Sequence, residues 1–255
     1  MSPDANQTPN QHALLQELAS SLPDLPRWVA PRGLLLERRC EVVLGPEGKR
    51  NAGYLVLEQD GPEAFAVHRP VAYLVKQLDG ASPPTGSILA PIESAEAWRA
   101  LLPGWSEQAA VVHVHPTPAN LPKPAHPTRF LTLADLEGLE DLPARLAHDL
   151  RRALGRGPVA AAFEGARAVA FCHAAYVTES WFDLSIDTLD EFRRRGYATS
   201  AAGHLIHHML GQGKRPVWGA LDADVASLSM AKKYGFRAVD RLVVFSNPAA
   251  ERRAQ

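Results

Sequence analysis

Between Trp181 and Leu210 the hydrophobic period of the chain changes once. Over Trp181–Thr188 apolar and polar residues alternate, with Phe182, Leu184 and Ile186 set against Asp183, Ser185 and Asp187. A period of two predicts a strand with one core face and one polar face. From Gly196 to Leu210 the spacing becomes helical: Ala198, Ala201, Ala202, Leu205 and Met209 recur on one side, and Gly211 follows as a stop. The connection between strand and helix reads DEFRRRG and carries Arg193, Arg194 and Arg195.

The same reading extends along the chain. Met1–Asn10 is polar and is expected to be disordered, and Gln11–Leu22 has helical spacing. Leu34–Leu44, Tyr54–Glu58 and Ala64–Val67 are expected as strands, the last two separated by a turn at Asp60, Gly61 and Pro62. Helices are expected over Pro70–Leu78 and Ala95–Leu102, and a strand over Ala109–Val114. The stretch HPTPANLPKPAHPT follows, where proline fixes φ and removes amide donors, so neither helix nor ladder is expected. Beyond it, Leu133–Leu154 is expected as helix in two pieces divided near Pro143, and two strands flank the turn at Glu164 and Gly165. This order predicts an α/β (α+β) chain with an N-terminal α/β lobe over 1–120, a Pro-rich connector over 121–128 and a second domain over 129–255.

Composition narrows the function classes. The 255 residues are 46% hydrophobic, ample for a sizeable core. With 27 basic and 28 acidic residues, the chain has no overall field to gather nucleic acid or an anionic membrane, so neither is expected as a partner and any positive site is local. No apolar run reaches the ~18 residues of a membrane span, and the first residues lack a signal-peptide pattern. With Cys40 and Cys172 as the only cysteines, the expectation is a cytoplasmic protein with reduced, buried thiols.

The arginines stand where a helix begins. The first N–H groups of a helix have no internal partner and carry the positive end of the macrodipole, so basic side chains there are unfavourable unless an anion joins them. Gly196 lets such an anion approach the backbone. No GKS or GKT follows, and the three-glycine dinucleotide pattern is missing, so neither nucleotide motif applies.

Arg193-Arg194-Arg195-Gly196-Tyr197-Ala198 resembles the phosphate loop of the GCN5-related acetyltransferases: Gln or Arg, any two residues, Gly, any one, then Gly or Ala. Further on, DVASLSMAKKYGF is similar to that superfamily's second signature, an Asn-x-x-Ser element leading through a helix to Gly-Phe. The resemblance runs over about 127–245 and is nearest to the zwittermicin-resistance-type subgroup. It implies a mixed, mostly antiparallel splayed sheet flanked by helices. It also implies acetyl-CoA as cosubstrate, no metal, and direct transfer of the acetyl group to a primary amine in a ternary complex. The acceptor is expected to be a small molecule, with a protein amine as the lesser alternative, and the protein a monomer or homodimer.

On that resemblance Arg193, Arg194, Arg195, Gly196, Tyr197, Ala198 and Thr199 hold the diphosphate, and Leu184, Ser185 and Ile186 border the pantetheine arm. Asp224 and Ser227 fall on the second signature, where Asp224 also reads as a helix N-cap. The acceptor amine must lose a proton before attack, and Asp183 on the polar strand face, with Glu179 upstream, are the base candidates; His173 and Tyr176 rank below them. Many superfamily members place a tyrosine acid four residues after the signature serine, and here that position is Ala231. A second reading is therefore a non-catalytic acyl-CoA-binding module. His204, His207 and His208, and His113 with His115, are expected as surface or interdomain residues rather than metal ligands. The N-terminal lobe is compatible with a degenerate copy of the same unit and is expected to wall the acceptor pocket.

Overall fold

The computed structural model describes residues 9–46, 53–59, 61–78, 85–118, 121, 123–139 and 142–248. In chain order the helices are α1 (Pro9–Ser21), α2 (Val29–Glu37), α3 (Ala72–Leu78), α4 (Ala95–Leu101), α5 (Leu133–Glu137), α6 (Ala144–Leu154), α7 (Tyr197–Leu210) and α8 (Val225–Lys233). The strands are β1 (Cys40–Leu44), β2 (Tyr54–Glu58), β3 (Glu63–Val67), β4 (Ser87–Pro91), β5 (Ser106–Val114), β6 (Thr128–Phe130), β7 (Val159–Glu164), β8 (Arg167–Val177), β9 (Trp181–Thr188), β10 (Arg215–Leu221) and β11 (Arg237–Ser246). These form two compact units, one from Met1–His113, Gly219–Met230 and Ala238–Gln255, the other from Val114–Trp218 and Ala231–Arg237.

In the first unit β1, β2 and β3 pair antiparallel, β3 and β4 parallel, and β4 and β11 antiparallel. Its core gathers Leu55, Leu74, Ile88, Trp98, Val243 and Phe245. The expected strand Leu34–Leu44 is corrected here. Val29–Glu37 is helix α2, Arg38 turns left-handed at φ 56°, and Cys40–Leu44 alone is strand. Leu34 and Leu35 are buried from the helix, and a short apolar run fits a buried helix as well as a buried strand. Of the stretch expected to be disordered, Pro9 and Asn10 open α1; Met1–Thr8 and Asp60 lie outside the described residues.

The second unit is a sheet in the order β10-β9-β8-β7-β6, antiparallel except where β9 meets β10 in parallel. Its two faces are chemically distinct. Val159, Ala161, Phe163 and Phe171 pack with Leu136 of α5 and Leu150 and Ala153 of α6. The alternate residues, among them Ala160, Ala162, Ala170, Cys172 and Phe182, are equally buried, and α7 packs on β7, β8 and β9. Small residues stand on both sides of this contact, the strand alanines and the buried Ala201, Ala202 and Gly203 of the helix, which permits close packing. β6, which begins at the last residue of the expected connector, adds to the edge of β7.

Under α6 lies His173 of β8, whose Nδ1 is buried without a hydrogen bond among the described residues. Burial first, then nearby Arg156, pushes its pKa from 6.5 down to about 4. The unfolded chain accepts a proton that the folded chain refuses, so stability is full above the unfolded value and is lost as pH falls through this window. We expect chemical denaturation of the His173→Asn variant to show a smaller loss between pH 6.5 and pH 4 than the parent, by about 3 kcal/mol. Parallel pH curves for the two proteins would contradict this.

Candidate functional site

β9 is paired unequally along its two edges. β8 follows it from Phe182 to Thr188, whereas β10 matches only Trp181, Phe182 and Asp183, through Arg215, Pro216 and Val217. From Leu184 onward the edge toward β10 has no ladder partner among the described residues. Main-chain N–H and C=O groups left open on a strand edge can pair with an extended ligand.

The strand then leaves through a short 3-10 turn, Asp190–Phe192, and the backbone takes an uncommon course. Arg193 is extended at φ −62° and ψ 153°, Arg194 is left-handed at φ 60°, and Gly196 is left-handed at φ 90°. A left-handed arginine is disfavoured, and φ 90° is natural to glycine alone. Through this turn and into α7 the amides of Arg194 to Thr199 find no acceptor among the described residues, and no side chain caps the helix. Successive N–H groups in alternating backbone conformations form a concave anion site, reinforced by the helix dipole. All three arginine side chains are exposed. Arg193 pairs with Asp190 at 2.8 Å and Arg195 lies over the Phe192 ring at 5.6 Å.

The turn is held from behind by the proline-rich stretch. Ser200, fully buried one turn into α7, accepts the amides of Ala125 at 3.1 Å and His126 at 3.2 Å and donates to the Gly196 carbonyl at 3.2 Å. The His126 ring stacks on Tyr197 at 3.9 Å, with its Nε2 2.9 Å from the Arg195 carbonyl oxygen.

On the other side of β9 a cavity of about 800 Å³ opens between the strand and α6. Ser185 and Asp187 line it from the strand, Arg145, Leu146 and Asp149 from the helix, and Arg167, Asp190 and Arg193 also border it. The Asp187 pKa is raised by burial first and by the charge of Asp149 second, and its carboxylate makes no hydrogen bond or ion pair among the described residues. Sequence reasoning placed Asp187 on the polar face of β9, but its facing of a cavity beside Asp149 depends on where α6 packs. The structure sets Asp183 on that same face, half-buried, at the last residue paired with β10. Glu179 is exposed in the turn before β9, its backbone carbonyl 3.4 Å from Lys214 Nζ, and it does not line the cavity.

Asp224 accepts the Ser227 amide at 2.9 Å as a cap for α8. Ala231 is fully buried, and three residues on, Tyr234 has a buried hydroxyl without a hydrogen bond among the described residues and a pKa raised by burial. Of the α7 histidines expected on the surface, His207 is exposed, while His204 and His208 are half-buried. His204 is half-buried, 3.1 Å from Thr128 Oγ1, and Phe130 of β6 packs edge-on to both His204 and His208. His115 packs edge-on to Phe236 and its Nδ1 accepts the Thr117 amide at 3.1 Å.

Residues 150–245 match the family model of the GNAT acetyltransferases, a span that includes β9, the turn and α7. Solved structures agree on the fold. A GCN5-related N-acetyltransferase-like protein from Streptococcus suis is similar over 93% of this chain and 98% of its own at 15% identity, with a TM-score of 0.63. An acetyltransferase of the GNAT family from Novosphingobium aromaticivorans is similar over 87% and 96% at 19% identity and TM-score 0.58. A tandem GNAT protein from the clavulanic acid biosynthesis pathway is similar over 97% and 96% at 15% identity and TM-score 0.57. No curated protein matches the chain in sequence. The chain thus has the mixed α/β fold of GNAT structures, with mostly antiparallel pairing flanked by helices.

The cavity carboxylate has a stability signature. Asp187 keeps its proton to higher pH when folded than when unfolded, so its contribution is present below its unfolded value and is lost as pH rises through the folded one. We expect Asp187→Asn to melt at a higher temperature than the parent at neutral pH, the two converging in acid. A lower melting temperature at neutral pH would mean that the carboxylate is held by a partner.

Proposed function

We propose that the second unit moves an acetyl group from acetyl-CoA to a primary amine of a small molecule, by direct attack within a ternary complex. The observation that carries this reading is the run of unmatched amides from Arg194 to Thr199 at the end of a strand whose other edge opens after Asp183. An anion site and an extended-chain site placed end to end suit a ligand with a diphosphate at one end of a long amide-bearing arm. The match of residues 150–245 to the GNAT acetyltransferase model supports the same ligand. The likeness to zwittermicin-resistance-type proteins rests on the sequence motifs alone.

In this reading the backbone from Arg194 to Thr199 holds the diphosphate, with Arg193, Arg194 and Arg195 adding charge from the exposed side. Leu184, Ser185 and Ile186 offer their open edge to the pantetheine amides. The thioester then lies further along β9, where Asp183 is the nearest carboxylate on the polar face and serves as base for the acceptor ammonium. The α6 cavity, with Asp149 and Asp187, receives the rest of a cationic acceptor. Asp224 has its carboxylate committed to the Ser227 amide, so its part is to set the start of α8. We read the acetyltransferase domain in sequence as 129–255, although Gly219–Met230 and Ala238–Gln255 belong to the first compact unit, and the preceding lobe as a degenerate half, in keeping with the likeness to a tandem GNAT protein over 97% of the chain.

The second reading, a CoA-binding module without turnover, is favoured by one observation: Ala231 is buried and has no proton to give. Thiol release from acetyl-CoA in the presence of a panel of amino sugars, polyamines and amino acids separates the two. We expect release with at least one amine, and a fall of about a hundredfold or more in kcat for Asp183→Asn. Saturable CoA binding with no release from any amine would favour the module, and an undiminished kcat in Asp183→Asn would remove that residue as base.

A further inference from the structure

We propose that His126 positions the diphosphate loop, holding the Arg195–Gly196 peptide in the one orientation that turns its N–H toward the anion. The proposal rests on the coenzyme site described above and adds a residue outside the loop and outside both sequence signatures.

A trans peptide is planar, and its C=O and N–H point in opposite directions. The Arg195 carbonyl lies 2.9 Å from His126 Nε2. A carbonyl oxygen can only accept, so Nε2 is the protonated nitrogen and donates this bond. With the carbonyl drawn to the His126 side, the Gly196 N–H is aimed to the opposite side, and like its neighbours it has no acceptor among the described residues. Nothing in the local chain enforces this choice. The Arg195–Gly196 peptide turns about ψ of Arg195 and φ of Gly196, and glycine, here at φ 90°, tolerates both orientations. A flipped unit presents its carbonyl to the anion in place of an amide.

The imidazole is itself fixed by two further contacts. Its own backbone is tied to α7, since the amides of Ala125 and His126 both donate to Ser200 Oγ, a hydroxyl with no solvent exposure. Its ring is stacked on Tyr197 at 3.9 Å and 29°, and Tyr197 in turn meets the Phe192 ring edge-on at 5.9 Å. Ser200 Oγ also donates to the Gly196 carbonyl at 3.2 Å, which sets the next peptide and the Tyr197 amide in the same way. A Cβ on Gly196 would meet Nε2 at 3.4 Å, an ordinary contact, so the φ of 90° rather than the ring calls for glycine at this position.

Calorimetric titration of the full chain with coenzyme A tests the assignment through variants that separate stacking from donation. His126→Phe keeps a ring on Tyr197 and loses the donor; His126→Gln keeps an amide donor at similar reach. We expect the phenylalanine variant to bind coenzyme A about tenfold more weakly, the worth of one hydrogen bond, and the glutamine variant to stay within about threefold of the parent. If the phenylalanine variant does not fold, His126→Asn, too short to reach Arg195, is expected to show the same loss. Unchanged affinity in the donor-less variant, or an equal loss in the glutamine variant, overturns the positioning role while leaving the site intact. Failure of the parent protein to bind coenzyme A at all brings down the site reading itself.

Discussion

The amides from Arg194 to Thr199 are without acceptors among the described residues, and much of the second unit is arranged so that they stay open in a defined direction. Unpaired N–H groups are tolerable here because the turn is exposed and water can serve them until a ligand does. What is not free is their orientation. A left-handed Arg194 and a left-handed Gly196 are the local means, and the carbonyls on the reverse side are taken up by His126 and Ser200. The Arg195 and Gly196 carbonyls are satisfied while the donors of the turn stay unmet, an asymmetry that suits an anion site.

The same logic of incomplete pairing applies to β9. A strand in the interior of a sheet normally has both edges filled, yet here β10 leaves the register after Val217 while β8 continues to the end. The edge left open from Leu184 and the open amides from Arg194 to Thr199 are separated only by the short turn in which the Leu189, Phe192 and Arg193 amides are paired. Both faces of β9 are meanwhile committed: Phe182 and Leu184 to the α7 side, Ser185 and Asp187 to the cavity under α6. Backbone and side chains of one strand thus address different parts of a reaction, the first a long carrier and the second an acceptor.

Stability is spent in recognisable places. Asp187 sits in a cavity beside another carboxylate, His173 is buried without a partner for Nδ1, and the Tyr234 hydroxyl is buried without a hydrogen bond among the described residues. Each opposes folding by desolvation, and the close alanine packing of α7 against β7 and β8 supplies compensation nearby.

What the sequence alone determined is what depends on near neighbours. Strand β9, the helix after Gly196, the glycine at the turn, the division of Leu133–Leu154 near Pro143 and the cap at Asp224 all arise from contacts within a few residues, so periodicity and residue type reveal them. Leu34–Glu37 was illegible because a short apolar run carries no period, and β6 because a strand of three residues carries no pattern. Tertiary structure decided the rest. His126 meets Arg195 across 69 residues, Asp187 meets Asp149 only because α6 crosses that face, and the parting of β10 from β9 depends on how each strand is held by other neighbours. A connector of prolines reads as a linker in one dimension; only the fold brings its histidine behind the turn it orients.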